Sequence, residues 1–336
     1  MDHCLNRVQL NILPVAEGDC IHLRFRSSDG WHNIVIDSGP GPEYASDPNP
    51  FEMLLDAIKE QNEKVDLLCF SHIDDDHIMG AVTAINGYGF DPDLICRIWL
   101  NAPDYVMNSI KKEDNERECS IRTANELLRE IVNKNLPCDN TVVAGKEIVI
   151  GDARIQVVLP TQKRLDKYNR EWRNKVPETV DAPLAISQDS SYTNGSSIAL
   201  LCTVGHHRIL LTGDAFSSDL AAVGKQYTAD QGVSLIKLPH HGSDRNITVK
   251  MLRSLKCREF IISTWETEHR PSKQTMELLS EYGAVVGGVT VYGNYPWLRF
   301  SSGVPHVCIM PLGEHGIKTM SGIEVYSDEY SRRTYT

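Results

Sequence analysis

Residues 65–77 read VDLLCF followed by SHIDDDH. The first six are almost wholly apolar, as in a strand buried on both faces. The next seven crowd two histidines and three aspartates together, and IMGAVTAI then runs on as a short helix. A loop that follows a buried strand can aim several side chains into one cleft. His72, Asp74, Asp76 and His77 stand at i, i+2, i+4 and i+5. Imidazole with carboxylate is donor chemistry for zinc, and carboxylate also suits manganese. A charge run of this kind is by itself more often a solvated loop. Asp75, between the candidate donors, is expected to point away or to cap the next helix.

Two other apolar runs end in the same way. ILLTGDA (209–215) places Asp214 after a strand and a glycine, and SLIKLPHHGS (234–243) places His240 and His241 after another. A lone TGD is usually a turn, and a lone HH pair is usually structural. Three strand ends that offer Asp and His together describe a site. The strands around them read as Val8–Leu13, Ile21–Phe25, Ile34–Ile36, Ile95–Leu100, Ser197–Val204, Arg208–Leu211 and Phe260–Ser263. Glu147–Ile150 and Arg154–Leu159 read as a hairpin turned at Gly151-Asp152. Helices are expected at 51–61, at Thr123–Asn133, near Ser217–Val223 and from Pro271 to Tyr282. His206 and His207, in a hairpin turn, are expected to face solvent.

Strands and one helix, then strand–helix units, then a second half of the same kind predict an α/β chain. Two mixed sheets pack face to face, with helices outside. Residues 1–336 are taken as one domain. It carries a polar insertion or long loop at about 161–194 and a strand-rich tail from about 287. The insertion could be a lid over the cleft or a surface for a partner.

Bulk composition narrows the function. Apolar content is 41%, and the 23 glycines bring the chain into the globular range. A net charge of −11 argues against a broad basic face for duplex nucleic acid, though not against a small cleft that handles phosphates with metal ions. Nine scattered cysteines with no CxxC pair predict reduced thiols and a cytoplasmic setting. The start MDHCLNRVQLNIL has no long apolar core, so no signal peptide is expected, and no run is long enough to span a membrane.

Together VAEGDCIHLRF, IVIDSG, SHIDDDHIMG, NGSSIALL, ILLTGDA and LPHHGS resemble the metallo-β-lactamase fold. More narrowly, they resemble the hydrolase domain of ComEC-type DNA-uptake proteins and their stand-alone relatives. The resemblance runs with gaps from Val8 to Leu279 and implies an αβ/βα sandwich with metals at one edge of the sheets. It implies two divalent ions, zinc or manganese. His72 and Asp74 would serve site one, Asp76 and His77 site two, and Asp214 would bridge. A further site-two ligand falls at His240 or His241, with His240 favoured. Asp19 and Asp37 would support the centre. The third histidine usual at site one has no counterpart near Tyr192–Ser196; Asn194 is the substitute there, and site one is expected to be weak. The branch's His-Pro pair is replaced by STWETEHRPS, with Arg270 between His269 and Pro271.

The implied chemistry is hydrolysis, with a bridging hydroxide attacking phosphorus in line. Asp76 takes part as ligand and catalytic group. His241 or His269 would protonate the leaving oxygen or hold the phosphate. Ser243, Arg245, Lys237 and Arg270 are further phosphate-binding candidates. The expected substrate is a nucleic acid or nucleotide phosphodiester, short or single-stranded, and a protein partner or regulator is expected for a stand-alone nuclease. Two other classes stay open. One is a small-molecule lactone, ester or phosphocholine-type hydrolase, with Tyr192, Trp265 and Trp297 lining an aromatic pocket. The other is a non-catalytic partner-binding module with a degenerate metal site.

Overall fold

Alternation in the first thirty residues becomes a meander: β1 (Val8–Ile12), β2 (Ile21–Ser27) and β3 (Gly30–Ile36), antiparallel to one another. After α1 (Pro50–Glu60) the chain turns parallel. β4 (Val65–Cys69) runs beside β3 and leads into α2 (Asp75–Asn86). β5 (Ile98–Trp99), α3 (Asp104–Lys111), α4 (Arg122–Asn133) and β6 (Cys138–Asp139) complete this half. In the second half β7 (Glu147–Ile150) and β8 (Ala153–Leu159) form the expected hairpin, followed by α5 (Gln162–Asn174) and α6 (Ser191–Asn194). β9 (Ala199–Val204) and β10 (His207–Leu211) pair antiparallel, then come α7 (Ser217–Tyr227), β11 (Leu235–Lys237) and α8 (Val249–Leu255). β12 (Glu259–Ile262), α9 (Lys273–Val286), β13 (Val289–Gly293) and β14 (Val307–Pro311) extend the parallel part. The tail's β15 (Ile317–Lys318) and β16 (Glu324–Tyr326) return to the first sheet beside β1. The computed structural model describes residues 8–41, 49–87, 89–111, 122–174, 191–228, 230–312, 317–318 and 324–326.

The two sheets run β15-β16-β1-β2-β3-β4-β5-β6 and β14-β13-β12-β11-β10-β9-β8-β7. Both are mixed, and both are covered on both faces. The period of two in the sequence explains the layering. Ile21, Leu23 and Phe25 of β2, Leu67 and Cys69 of β4, and Leu200, Cys202 and Val204 of β9 point between the sheets. Val65 and Leu68 of β4 pack outward on α1, α2 and α4. Leu201 and Leu210 pack outward on α7 and α8. The order is helix, sheet, sheet, helix: the αβ/βα sandwich.

Some details differ from the sequence reading. Pro271 precedes α9 rather than starting it; Ser272 is the N-cap, its side chain accepting from Gln274 N. Residues 162–174, read as a polar loop, form α5, because Leu165, Tyr168 and Trp172 are spaced to bury one face against the first core. Residues 175–190 of that segment lie outside the described residues. His207, expected in solvent, is buried as the first residue of β10, and burial lowers its pKa.

Candidate metal centre

Parallel strands end on one edge of a sheet, and that edge is where α/β proteins gather functional side chains. Here β3, β4, β10, β11 and β12 all end beside one another. Asp37 follows β3, Ser71 to His77 follow β4, Asp214 follows β10, His240 and His241 follow β11, and Ser263 follows β12. The sheets are tied together at this edge, where Ile198 N donates to Ser71 O across 2.8 Å. Gly213 is required there: at φ +52°, a Cβ would lie 2.8 Å from that of Ser71.

The helix after β4 is anchored where it starts. Ser38 Oγ donates to His77 O and accepts from Ala81 N, both at 2.9 Å. Gly80 permits the approach, since a Cβ would fall 2.1 Å from Ser38 O. Asp74 occupies the N-cap of α2 but makes no side-chain cap bond, and Asp75 is exposed in the first turn. Asp74 and Asp76 each keep about a third of the side chain exposed, while those of His72 and His77 are fully buried.

Donor atoms converge in three sets among the described residues: His72, His77 and Asp214; Asp76, His77 and His241; and Asp19, Asp37 and His77. In the first, Asp214 Oδ1 lies 3.6 Å from His77 Nε2, and Oδ2 lies 3.9 Å from His72 Nε2. Asp74 Oδ2 stands 3.5 Å from the same His72 nitrogen. In the second, His241 Nε2 lies 3.3 Å from Asp76 Oδ2 and 3.9 Å from Asp214 Oδ2. The third is a set of supports. Asp37 accepts from Ser71 N (2.6 Å), Ser71 Oγ (2.7 Å) and His77 Nδ1 (2.9 Å). Asp19 accepts from the buried Lys237 ammonium.

Five of these atoms are buried and have no hydrogen-bond partner: His72 Nε2, His77 Nε2, His241 Nε2, Asp214 Oδ1 and, among the supports, Asp19 Oδ1. Buried polar atoms are rarely left unpaired, because each costs about 1–3 kcal/mol. Their other ring nitrogens are held in place, His77 by Asp37, His241 by Ser263 O at 3.0 Å and His72 by Ser71 Oγ at 3.0 Å. Fixing the far nitrogen of an imidazole is what aims the near one at a cation. This donor set fits divalent cations.

The electrostatics agree. Burial opposes charge on Asp214, but the imidazoles around it, His77, His241 and His72 among them, outweigh it and hold the carboxyl well below its ordinary range. Asp76 is likewise held far down, burial being overcome by His77 and His241. Burial pulls His77 down, yet Asp76, Asp37 and Asp214 raise it well above its usual value. His72 is raised too: burial and His77 lower it, but Asp74 and Asp214 prevail. Protons stabilised by carboxylates in this way are the ones a metal ion displaces.

Of the histidine doublet, the sequence favoured His240, and the donor sets take in His241. His241, not His240, turns its free nitrogen into the donor sets. His240 and His241 are both left-handed (φ 51° and 52°), and this turn sends adjacent rings in different directions. His240 Nε2 lies 3.7 Å from Asp214 Oδ2 but only 2.7 Å from Arg270 Nη2. His269 is exposed on the next loop, in none of the three sets, its N–H donating to Thr267 Oγ1 at 3.3 Å. Lys237, expected at phosphate, is fully buried against Asp19 and Gly213 O. Asn194 is buried at the end of α6, beside Thr193, whose hydroxyl reaches Asp74 Oδ2 at 3.5 Å. Trp297 is largely buried, donates to Thr264 O and lines a cavity with Tyr295 and Phe300, whereas Trp265 is 42% exposed. Sequence reading passed over Ser71 and Asn246. Ser71 stands inside the quoted motif, and Asn246 lies six residues after His240, where only the local turn brings it back.

Comparison with known proteins agrees with this architecture. Residues 28–93, from β3 through α2, match the model of the metallo-beta-lactamase superfamily. The four-layer sandwich is that of the metallo-β-lactamase fold. No curated protein matches the chain in sequence. Among solved structures, CmlA, a diiron β-hydroxylase from Streptomyces venezuelae, aligns at 11% identity over 85% of this chain and 52% of its own (TM-score 0.43). Unliganded yeast PDE1 aligns at 10% identity over 91% of this chain and 98% of its own (TM-score 0.44). A long form of RNase Z from yeast aligns at 9% identity over 95% and 46% (TM-score 0.42). The chain thus spans about half the length of CmlA, and at these likenesses none of the three decides an activity. No described helix is long and apolar enough to cross a membrane.

Proposed function

We propose that this chain is a metal-dependent phosphodiesterase or nuclease of the ComEC-type branch of the fold. The observation that carries the metal centre is the convergence of four buried, unpartnered donor atoms on His72, His77, His241 and Asp214. His72 and Asp74 would hold one cation and Asp76, His77 and His241 the other, and Asp214 faces His72, His77 and His241. Two such cations, zinc or manganese, would supply a nucleophilic water at neutral pH and neutralise charge on a phosphoryl group.

The chain's own residues do the rest. Asp37 and Ser71 fix the rings of His77 and His72, and Ser263 O fixes that of His241. Lys237 holds Asp19 and the backbone of Gly213, and so sets the loop that presents Asp214. Asp74 and Asp76, part exposed, form the open side through which substrate enters. A nucleic-acid substrate is favoured by Trp265, an exposed indole two residues past Ser263, because a base stacks on such a ring whatever its identity. The net charge of −11 favours a short or single-stranded substrate.

The test pairs metal content with activity on one preparation. Bound zinc and manganese are quantified, and single-stranded DNA, duplex DNA, RNA and bis(p-nitrophenyl) phosphate are assayed with each metal, beside Asp76→Ala and Asp214→Ala. Cleavage that falls by about 100-fold or more in both variants is the expected result. Two bound metals with turnover of a lactone or carboxylic ester, and none of any phosphodiester, would overturn it.

A further inference from the structure

We propose that Arg270 and His240 form an anion clamp that holds a non-bridging phosphoryl oxygen of the substrate, and that His240 is not a metal ligand. The clamp rests on the phosphodiester reading above, and goes beyond it in naming what meets the phosphate.

The hydrogen bonds fix the tautomer of His240. Asn246 Nδ2 donates to Asp214 O (3.1 Å) and Ala215 O (3.3 Å), so Asn246 Oδ1 is an acceptor. His240 Nδ1, 3.1 Å from that oxygen, therefore carries the proton. The Nε2 lone pair is left to accept from Arg270 Nη2 at 2.7 Å. A protonated Nε2 would face the guanidinium N–H donor to donor, which that distance forbids. The lone pair a metal needs is already in use.

Arg270 itself is not at rest. A guanidinium offers five N–H donors in a planar fork. Among the described residues the bond to His240 is the one its side chain makes. The backbone beneath it is pinned, which a merely exposed arginine does not need. Arg299 donates to Glu268 O (2.8 Å), Arg270 O (3.0 Å) and Pro271 O (3.2 Å). Glu266 returns the tie, accepting from Leu298 N and Arg299 N at 2.8 Å and from Arg299 Nε at 2.9 Å. Arg270 N is held by Thr267 Oγ1 at 2.9 Å. The loop is built to deliver one guanidinium to the edge of the metal centre.

Charge gives the reason. With two divalent cations bound, a guanidinium beside His240 is repelled by them unless an anion lies between. Its spare donors match the oxygens of a phosphate in geometry and charge. A neutral carbonyl substrate has no use for it.

The experiment uses the metal-loaded full chain with Arg270→Ala, Arg270→Lys and His240→Ala. Inorganic phosphate binding is measured by calorimetry, metal stoichiometry by elemental analysis, and kcat/KM on bis(p-nitrophenyl) phosphate and on p-nitrophenyl acetate. The expected result is unchanged metal content in all three variants, with phosphate affinity lowered at least 10-fold in Arg270→Ala and partly restored in Arg270→Lys. Phosphodiester kcat/KM falls by about 100-fold in Arg270→Ala, and any acetate turnover is unchanged. The clamp is overturned if Arg270→Ala binds phosphate as the wild type does, if the loaded wild type binds none, or if His240→Ala loses a metal ion. Should the wild type bind phosphate but cleave no phosphodiester, the functional reading fails, and the phosphate arm alone decides the clamp.

Discussion

Asp37 shows how much a single side chain can determine. It sits at φ 59°, an unusual backbone for a residue other than glycine, though one that aspartate tolerates better than most. That backbone places its carboxylate under β4, where it accepts from Ser71 twice and from His77 Nδ1. Asp37→Asn keeps the shape but puts an amide N–H against one of these donors. Metal affinity is expected to fall about 10- to 100-fold, as for other groups that orient a ligating imidazole. Titration against a competing chelator measures it, and unchanged affinity would mean that Asp37 is a backbone brace alone. Sequence reading found Asp37 because it ends an apolar strand in a small-residue turn. It favoured His240 over His241, whereas the donor sets take in His241. Adjacent rings are alike in type and position, and the choice is made by a left-handed pair whose φ values the letters do not specify.

At the scale of elements, what could be read depended on whether one face of an element was apolar throughout. β4, β9 and β10 announce themselves because both faces are buried, and the Asp and His at strand ends are visible as abrupt changes of character. α5 was missed because KRLDKYNREWRN is mostly charge, with Leu165, Tyr168 and Trp172 as thin hydrophobic evidence. Those three carry the helix. Tyr168 Oη donates to Asn101 O at 3.0 Å, and Trp172 packs edge-on against Tyr168 with ring centres 5.3 Å apart. Arg164 reaches Asp219 of α7 at 2.8 Å, so α5 links helices that cover opposite sheets. Its described part is thereby a buttress joined to the first core. Trp172→Ala is expected to destabilise the chain by about 3–5 kcal/mol, the usual range for emptying a buried aromatic site. Urea unfolding of the metal-loaded protein measures it, and a cost below about 1 kcal/mol would show that α5 is only loosely docked. The loop that carries Arg270 was equally hard to read. Arg299, which pins it, lies 29 residues further on in the chain.

For the whole molecule, the division of donors matters more than their number. Asp37, His72, Asp74, Asp76 and His77 come from the first half, and Asp214 and His241 from the second. Backbone contacts between the sheets hold these sets together at one edge, but several of the carboxylate and imidazole atoms that face one another there have no hydrogen-bond partner. A cation that bonds donors from both halves binds the folded chain and not the unfolded one. Mass action then makes the stability of the whole fold depend on it, by about 2.7 kcal/mol when free metal stands 100-fold above its dissociation constant. Removing metal with a chelator should therefore lower the unfolding midpoint, and zinc or manganese should restore it. Asp214→Ala separates this from a local effect, since it deletes the one carboxylate that, among the described residues, is placed against His72, His77 and His241 together. Its midpoint should respond little to metal. Asp75→Ala, on the exposed first turn of α2, should keep the full response. If wild type and Asp214→Ala shift equally on adding metal, the cations are bound elsewhere, and the two halves are held together by the sandwich core alone.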